Sequence, residues 1–405
     1  MSQHAGAEGA AGTGGVASVE AQPASATQQD SSNRAAELAR LLETRRGERH
    51  IVALQDFPDP DAISCGMAYR EIAKRFEIDA DLVYDGQISH PENRALVNLL
   101  DVEVRQYARD LQLDAYNAAV FVDNQGATTH LTERLKAAGV PTLAVVDHHD
   151  ADDVLDPIFS DVRPLGAAAT IFAEYLSSGA LLKLDAENEG HMRLATALMH
   201  GLHSETDGFV RARPAEYRAA AFLSRYMDPD LLERVLCVQK SSGTLRVIER
   251  ALHDRVVASG YSVAGVGFVR WGDRDAIPVA ADFLLTEENV HTSIVYGLLG
   301  EEDGREVVSG SLRTTHATMQ VDRFLKAALG EDLRGRPYGG GRSRAGGFEI
   351  DVGFLRGDED DPDQQAMKWA LFDRRIRRKL FREAGVEDLD EVCGREGDRT
   401  EEEED

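Results

Sequence analysis

Lysine is nearly missing from this chain of 405 residues: only seven occur, so almost all of its 45 basic residues are arginine. Cysteine is as scarce. Cys65, Cys237 and Cys393 stand far apart, which excludes a disulfide framework and a paired-cysteine metal or redox motif. No run of eighteen apolar residues occurs, so no segment has the length and character of a membrane-spanning helix. The first residues also lack the basic-then-apolar order of a secretion signal. These absences predict a cytoplasmic protein with no membrane partner.

Negative charge, by contrast, is abundant. Against the 45 basic residues stand 71 acidic ones, a formal net charge of −26. The excess runs through the segments expected to fold as well as the tails. That points to an acidic surface adapted to high salt, kept hydrated and soluble by its carboxylates. Such a surface repels long nucleic acids unless salt screens it, and no long duplex is expected as a partner. A small phosphorylated molecule meets a weaker objection.

Composition and periodicity divide the chain. Residues 1–32 are rich in Gly, Ala, Ser, Thr and Gln, which predicts a disordered segment, and residues 395–405 read as an acidic tail. Between them, residues 33–212 alternate short apolar runs with helical patterns. Strands are predicted at 50–54, 81–84, 118–123 and 143–147, and helices at 35–46, 64–76 and 131–138. Strands separated by helices imply a mostly parallel sheet covered on both faces. Residues 213–256 read as a helical linker. Residues 257–356 read as a smaller α/β domain with strands at 261–268, 276–285, 291–298 and 307–312, a helix at 321–329, a glycine-rich loop at 339–347 and a run at 348–354. An appended helix, patterned over 363–383, fills 357–394. The fold class is α/β, and no internal repeat is present.

The chemistry sits where apolar runs end. Leu143-Ala144-Val145-Val146 runs into Asp147-His148-His149, the run 50–54 is followed by Asp59-Pro60-Asp61, and the run 118–122 ends in Asp123. Carboxylates and imidazoles at several strand ends fit ligand binding at the carboxyl edge of a parallel sheet. The reading from these residues is a metal-dependent hydrolase. The blander duties are helix capping by Asp59 or Asp61 and simple packing for His200 and His203.

With Asp59-Pro60-Asp61, Asp123, Asp147-His148-His149 and the segment Gly201-Leu202-His203-Ser204-Glu205-Thr206-Asp207, four motifs stand in an order that resembles the DHH phosphoesterase family, over roughly residues 48–355. The resemblance implies a mostly parallel-sheet DHH domain and two divalent cations, manganese before magnesium. It implies that Asp123 bridges them, that Asp59 binds one, and that Asp61, His148 and the fourth-motif acid bind the other. His149 then faces the substrate phosphate, and Asp147 orients a histidine. Two positions depart from the family pattern. Gln55 stands where the first motif has histidine, and Glu205 stands at the fourth-motif aspartate, with Asp207 two residues on as a substitute. The departures admit a weakened first metal site, a shift towards magnesium, or a loss of catalysis.

The run Gly339-Gly340-Gly341-Arg342-Ser343-Arg344-Ala345-Gly346-Gly347 resembles the signature of the accessory DHHA1 domain, with Arg342 at the family's histidine position. Ser311-Leu312-Arg313 resembles that domain's strand motif. Glycines let backbone approach a phosphate closely, and arginine pairs with phosphate in bidentate fashion. Gly339, Gly340, Gly341, Arg313, Arg342 and Arg344 are therefore expected to bind substrate, across a cleft from the metals. The resemblance implies hydrolysis of small nucleotides: short single-stranded oligoribonucleotides, 3′-phosphoadenosine 5′-phosphate or dinucleotides. The alternatives are a manganese-dependent inorganic pyrophosphatase and a non-catalytic nucleotide-binding regulator. The arginine-rich stretch 374–382 tempts a nucleic-acid reading, but pairing with the acidic body or with a second subunit in a homodimer is favoured.

Overall fold

The computed structural model describes residues 24–88, 90–237, 239–300, 306–342, 344–353 and 361–386. The chain forms two compact units, Met1–Val238 and Gln239–Asp405. The division falls inside the predicted linker 213–256.

The first unit contains α1 (Ala24–Glu43), β1 (Arg49–Ala53), α2 (Pro60–Arg75), β2 (Asp79–Tyr84), α3 (Pro91–Leu99), β3 (Val104–Gln106), β4 (Ala118–Val122), α4 (Leu131–Ala137), β5 (Thr142–Asp147), β6 (Phe159–Val162), α5 (Ala168–Ser178), α6 (Glu189–Glu205), α7 (Pro214–Leu223) and α8 (Pro229–Leu236). Its six strands run in the order β3-β2-β1-β4-β5-β6, and every pairing is parallel. Alternate side chains enter opposite faces, as the strand repeat requires. Val52, Val120, Val122, Ala144 and Val146 join a core with α1, α2, α5 and α6. Ile51, Ala53, Ala119, Phe121 and Val145 join another with α4. Burial on both faces is why these strands read as unbroken apolar runs rather than alternating ones.

Helix α1 starts at Ala24, ahead of the expected position, so residues 24–32 are helical rather than disordered. The rest of the predicted disordered segment lies outside the described residues, as does the acidic tail 395–405.

The second unit contains α9 (Ser242–Asp254), β7 (Val256–Ala258), β8 (Tyr261–Arg270), α10 (Ala276–Leu284), β9 (Thr292–Gly300), β10 (Glu306–Thr314), α11 (Val321–Leu329), β11 (Gly339–Arg342), β12 (Ala345–Asp351) and α12 (Pro362–Glu383). Its sheet is mixed, in the order β11-β12-β10-β9-β8-β7, with β8 and β9 parallel and the other pairings antiparallel. Helices α9 and α10 cover one face, and α11 and α12 cover the other.

Two sequence expectations are corrected here. The predicted strand 276–285 is helix α10, whose buried residues Ala276, Ile277, Ala280, Ala281 and Leu284 recur at the helical repeat. The glycine-rich run is a hairpin of β11 and β12, not a loop. Its glycines make room for α11: a Cβ on Gly341 or Gly346 would meet Val321 at 2.6 and 2.5 Å.

Candidate metal centre

The strand order places β1 beside β4 although the chain winds away from them in opposite directions. This is the switch point at which open parallel sheets leave a crevice beyond their carboxyl ends. Three acidic segments meet there. β1 runs on to Gln55 and Asp59, β4 ends at Asp123, and β5 ends at Asp147.

Asp123 adopts a left-handed backbone, φ 55°, which costs a non-glycine residue about 1–3 kcal/mol and is held only where neighbours over-determine it. Asn124 does so. Its amide nitrogen donates to the carbonyls of Ala53 (3.1 Å) and Val122 (2.9 Å), and its side-chain oxygen accepts from Gly126 N at 3.1 Å.

Asp59 is the N-cap of α2, with Oδ1 accepting from Ala62 N at 2.9 Å. Capping and site membership are thus combined in one residue, because its Oδ2 also accepts from Gln55 Nε2 at 2.9 Å. The same Gln55 nitrogen lies 3.3 Å from Asp123 Oδ2. Rotating that amide by half a turn would present Oε1 instead. Asp61 is fully buried and accepts from the first amides of α5, Ala168 N at 2.6 Å and Ala169 N at 2.8 Å, where a helix N-terminus favours negative charge. Glycine at 201 lets α6 come close enough to join the group. A Cβ there would lie 2.7 Å from Ser64 Oγ and 3.0 Å from Asp61 Oδ1.

The triplet completes the cluster. His148 Nδ1 faces the Leu165 carbonyl oxygen at 3.1 Å. A carbonyl only accepts, so the proton sits on Nδ1 and the Nε2 lone pair faces inward. That Nε2 lies 3.3 Å from Asp123 Oδ1 and 3.9 Å from both Asp61 Oδ2 and Glu205 Oε2. His149 Nδ1 donates to Asp147 Oδ1 at 2.9 Å, and the His149 side chain is half-exposed. Asp147 is further held by Gln125 Nε2 at 2.7 Å. Gln125 escaped the sequence reading, since a lone glutamine two residues after a strand-end acid carries no signal of its own.

Burial and mutual repulsion dominate the electrostatics. Burial pushes up the carboxyls of Asp59 and Asp61, the latter to about 6 with Asp59 adding to it and His148 opposing. Asp123 is pushed well above the carboxylate range by burial, then by Asp59, Asp61, Asp147 and Glu205. Glu205 reaches about 8 through burial and the charges of Asp59 and Asp61. Asp147 alone is held below its usual value, because hydrogen bonds led by that of His149 outweigh its burial.

Buried carboxylates crowded in this way are neutralised by protons or by a bound cation. Asp123 Oδ1 and His148 Nε2 are both buried without a hydrogen-bond partner, and they face each other. Two donors to one ion at ~2.1 Å, at right angles, lie about 3 Å apart, so these orphan atoms fit a shared divalent cation. Ligand atoms of Asp123, Asp147, His148 and His149 all fall within 4.8 Å of one another. Oxygen donors with one imidazole suit manganese or magnesium.

Not every expected residue joins. Asp207 is exposed and pairs with Arg211, so Glu205 supplies the fourth-motif acid at the cluster. His200 is fully buried with Nε2 on Glu92 at 2.7 Å, and His203 is partly buried beside Phe209. In the second unit, Arg313 Nε pairs with Asp282 at 2.9 Å, and Arg344 is exposed. Gly339, Gly340 and Gly341 lie in β11, whose last residue is Arg342; the side chain of Arg342 lies outside the described residues.

No protein-family model matches the chain. Over 335 residues, 82% of its length, it is 32% identical to an uncharacterized protein of Methanocaldococcus jannaschii, and the matched stretch is 63% of that relative. Over 143 residues, 34% of the chain, it is 30% identical to a probable manganese-dependent inorganic pyrophosphatase of Bacillus cereus, of which it spans 43%. The chain thus spans less than two thirds of either curated relative. Among solved structures, an exopolyphosphatase-related protein from Bacteroides fragilis superposes with a TM-score of 0.59 at 14% identity, covering 87% of this chain and 98% of that one. That likeness shows the fold. The four motifs that resemble those of the DHH phosphoesterases stand in order, with three of their acids at one sheet edge.

Proposed function

We propose that the chain is a metal-dependent phosphoesterase acting on small nucleotides. The observation that carries this reading is the pair of partnerless buried atoms, Asp123 Oδ1 and His148 Nε2, set among carboxylates that repel one another. Asp59, Asp61, Asp123, His148 and Glu205 would hold two divalent cations, manganese or magnesium, with Gln55 contributing its Oε1. When bound, the cations supply an activated water and neutralise charge on the phosphoryl group.

The chain's own residues do the rest. Asp147 fixes the His149 ring through Nδ1, so that this half-exposed imidazole meets an incoming phosphoryl oxygen. Gln125 keeps Asp147 from turning. Glu205, with its carboxyl near 8, gives up its proton as the site is charged with metal, so uptake releases protons. In the second unit, Arg344 and the backbone of the β11–β12 hairpin are assigned to substrate anions, and Arg313 would have to leave Asp282 to join them.

The substrates assigned are short oligoribonucleotides, 3′-phosphoadenosine 5′-phosphate and dinucleotides. The partial identity with a probable manganese-dependent inorganic pyrophosphatase supports a second reading, hydrolysis of pyrophosphate. One experiment separates them: turnover of 3′-phosphoadenosine 5′-phosphate, pApA, a cyclic dinucleotide and pyrophosphate in high salt with Mn²⁺ or Mg²⁺, beside Asp123→Ala. Nucleotide turnover lost in the variant supports the proposal. Turnover of pyrophosphate alone moves the assignment to the second reading. Absence of all turnover in a folded, metal-binding protein points to a nucleotide-binding regulator and overturns both.

A further inference from the structure

Between Gln55 and Asp59, in the loop that carries β1 into α2, one side chain turns away from the protein. Phe57 is 70% exposed, while Gln55, Asp56 and Asp59 are partly buried and Pro58 is buried. Among the described residues no aromatic ring packs on it.

A loose loop would explain an exposed phenyl ring, but this loop is tied on both sides of the residue. Asp56 N donates to the Thr128 carbonyl at 3.1 Å, and the Asp56 carbonyl accepts from Gln87 N at 2.9 Å. The Asp56 carboxylate takes the His130 backbone amide at 3.0 Å and the His130 ring as well. On the far side, the Pro58 carbonyl accepts from Asn93 Nδ2 at 3.0 Å. Gly86 packs so closely that a Cβ would stand 1.9 Å from the Asp56 oxygen. The backbone around Phe57 is therefore fixed, and its ring is presented rather than displaced.

Single exposed apolar residues are ordinary on a protein surface. This one differs in its place, two residues from Asp59 and two from Gln55, in the loop that delivers both to the acid cluster, on a strongly anionic chain. A flat ring beside a phosphoryl centre has an evident use: nucleobases stack on it, with little regard to which base.

We propose that Phe57 is the stacking platform for the base of a nucleoside phosphate whose phosphoryl group lies at the metal centre. The inference rests on the phosphoesterase reading above and sharpens it. The substrate carries a base next to the reacting phosphate, purines are held more firmly than pyrimidines by stacking area, and adenine and guanine are not told apart at this position.

The test is equilibrium binding by calorimetry to the manganese-loaded protein in high salt, with two probes, 5′-AMP and inorganic phosphate. The wild type binds AMP more tightly than phosphate. Phe57→Ala weakens AMP by between about fivefold and a hundredfold and leaves phosphate affinity at the wild-type level, and Phe57→Trp restores AMP. Unchanged AMP affinity in Phe57→Ala overturns the proposal, as does a wild type that binds AMP no more tightly than phosphate. A wild type that binds neither probe and hydrolyses none of the panel removes the phosphoesterase reading and this proposal with it. The wild-type arm reports that failure before any variant is compared.

Discussion

Gln125 Nε2 donates to Asp147 Oδ2 at 2.7 Å and to the Asp150 carbonyl at 2.9 Å, while its Oε1 accepts from Asp152 N at 2.7 Å. A single amide thus clamps both ends of the loop that carries His148 and His149. Gln125→Ala removes the clamp and leaves every proposed ligand in the chain. Groups that orient metal ligands typically contribute about 10–100-fold to affinity, so manganese affinity measured by calorimetry should fall by that factor, with the far-UV circular dichroism unchanged.

Asp123→Asn should act in opposite directions with and without metal. In chelator, burial and four neighbouring carboxylates force Asp123 to hold a proton that it would shed in the unfolded chain, a cost asparagine does not carry, and asparagine tolerates the left-handed backbone at this position. The melting temperature in chelator should rise. With manganese present, the wild type gains stability by binding and the variant gains much less. Paired melting curves in the two conditions check both signs.

The metal-free protein should lose stability as pH rises from about 5 to 8. Glu205 and Asp61 have folded-state values raised to about 8 and about 6, above their ordinary range near 4. Between the two values the folded state binds more protons than the unfolded state, so unfolding free energy falls with pH. Denaturant titrations in chelator at pH 5.5 and pH 8 should place the midpoint lower at pH 8. Saturating manganese should abolish or reverse the difference.

Gln55→His tests how the centre accommodates glutamine. The amide nitrogen already lies 2.9 Å from Asp59 and 3.3 Å from Asp123, so a ring nitrogen at that place would be a neutral donor in a carboxylate nest. The expected result is higher manganese affinity and faster turnover. Loss of both would mean that the surrounding side chains have been fitted to an amide.

Lys368 Nζ lies 2.9 and 2.6 Å from the two oxygens of Glu306, both residues buried in the second unit. Glu306→Ala leaves an unpaired buried ammonium and should cost about 3–5 kcal/mol. Lys368→Met combined with Glu306→Leu should recover most of that loss. Urea denaturation of the three variants checks the order.

The sequence made the site more legible than the second unit. β1, β4 and β5 are buried on both faces, so they appear as short apolar runs; β4 and β5 lead straight into Asp123 and Asp147, while β1 leads through Gln55 to Asp59. Residues 276–284 misled because an apolar stretch of that length fits either period, and only the burial of Ala276, Ala280 and Leu284 on one side decides for a helix. The glycines of 339–341 read as a loop because their use lies elsewhere, in the space α11 occupies. Glu205 and Asp207 could not be separated along the chain. The end of α6 turns one inward and the other out to Arg211, a matter of backbone direction that residue types do not record.

The ligands proposed for the centre come from positions 59, 61, 123, 148 and 205, which puts most of the first unit inside the loops that a bound ion would close. An ion there acts as a removable staple. It cannot assist early in folding, because apart from Asp59 and Asp61 its donors are not neighbours until both halves of the sheet have docked across β1 and β4. Its effect should fall on escape from the native state: manganese should slow unfolding in chevron experiments and leave the refolding limb almost unmoved.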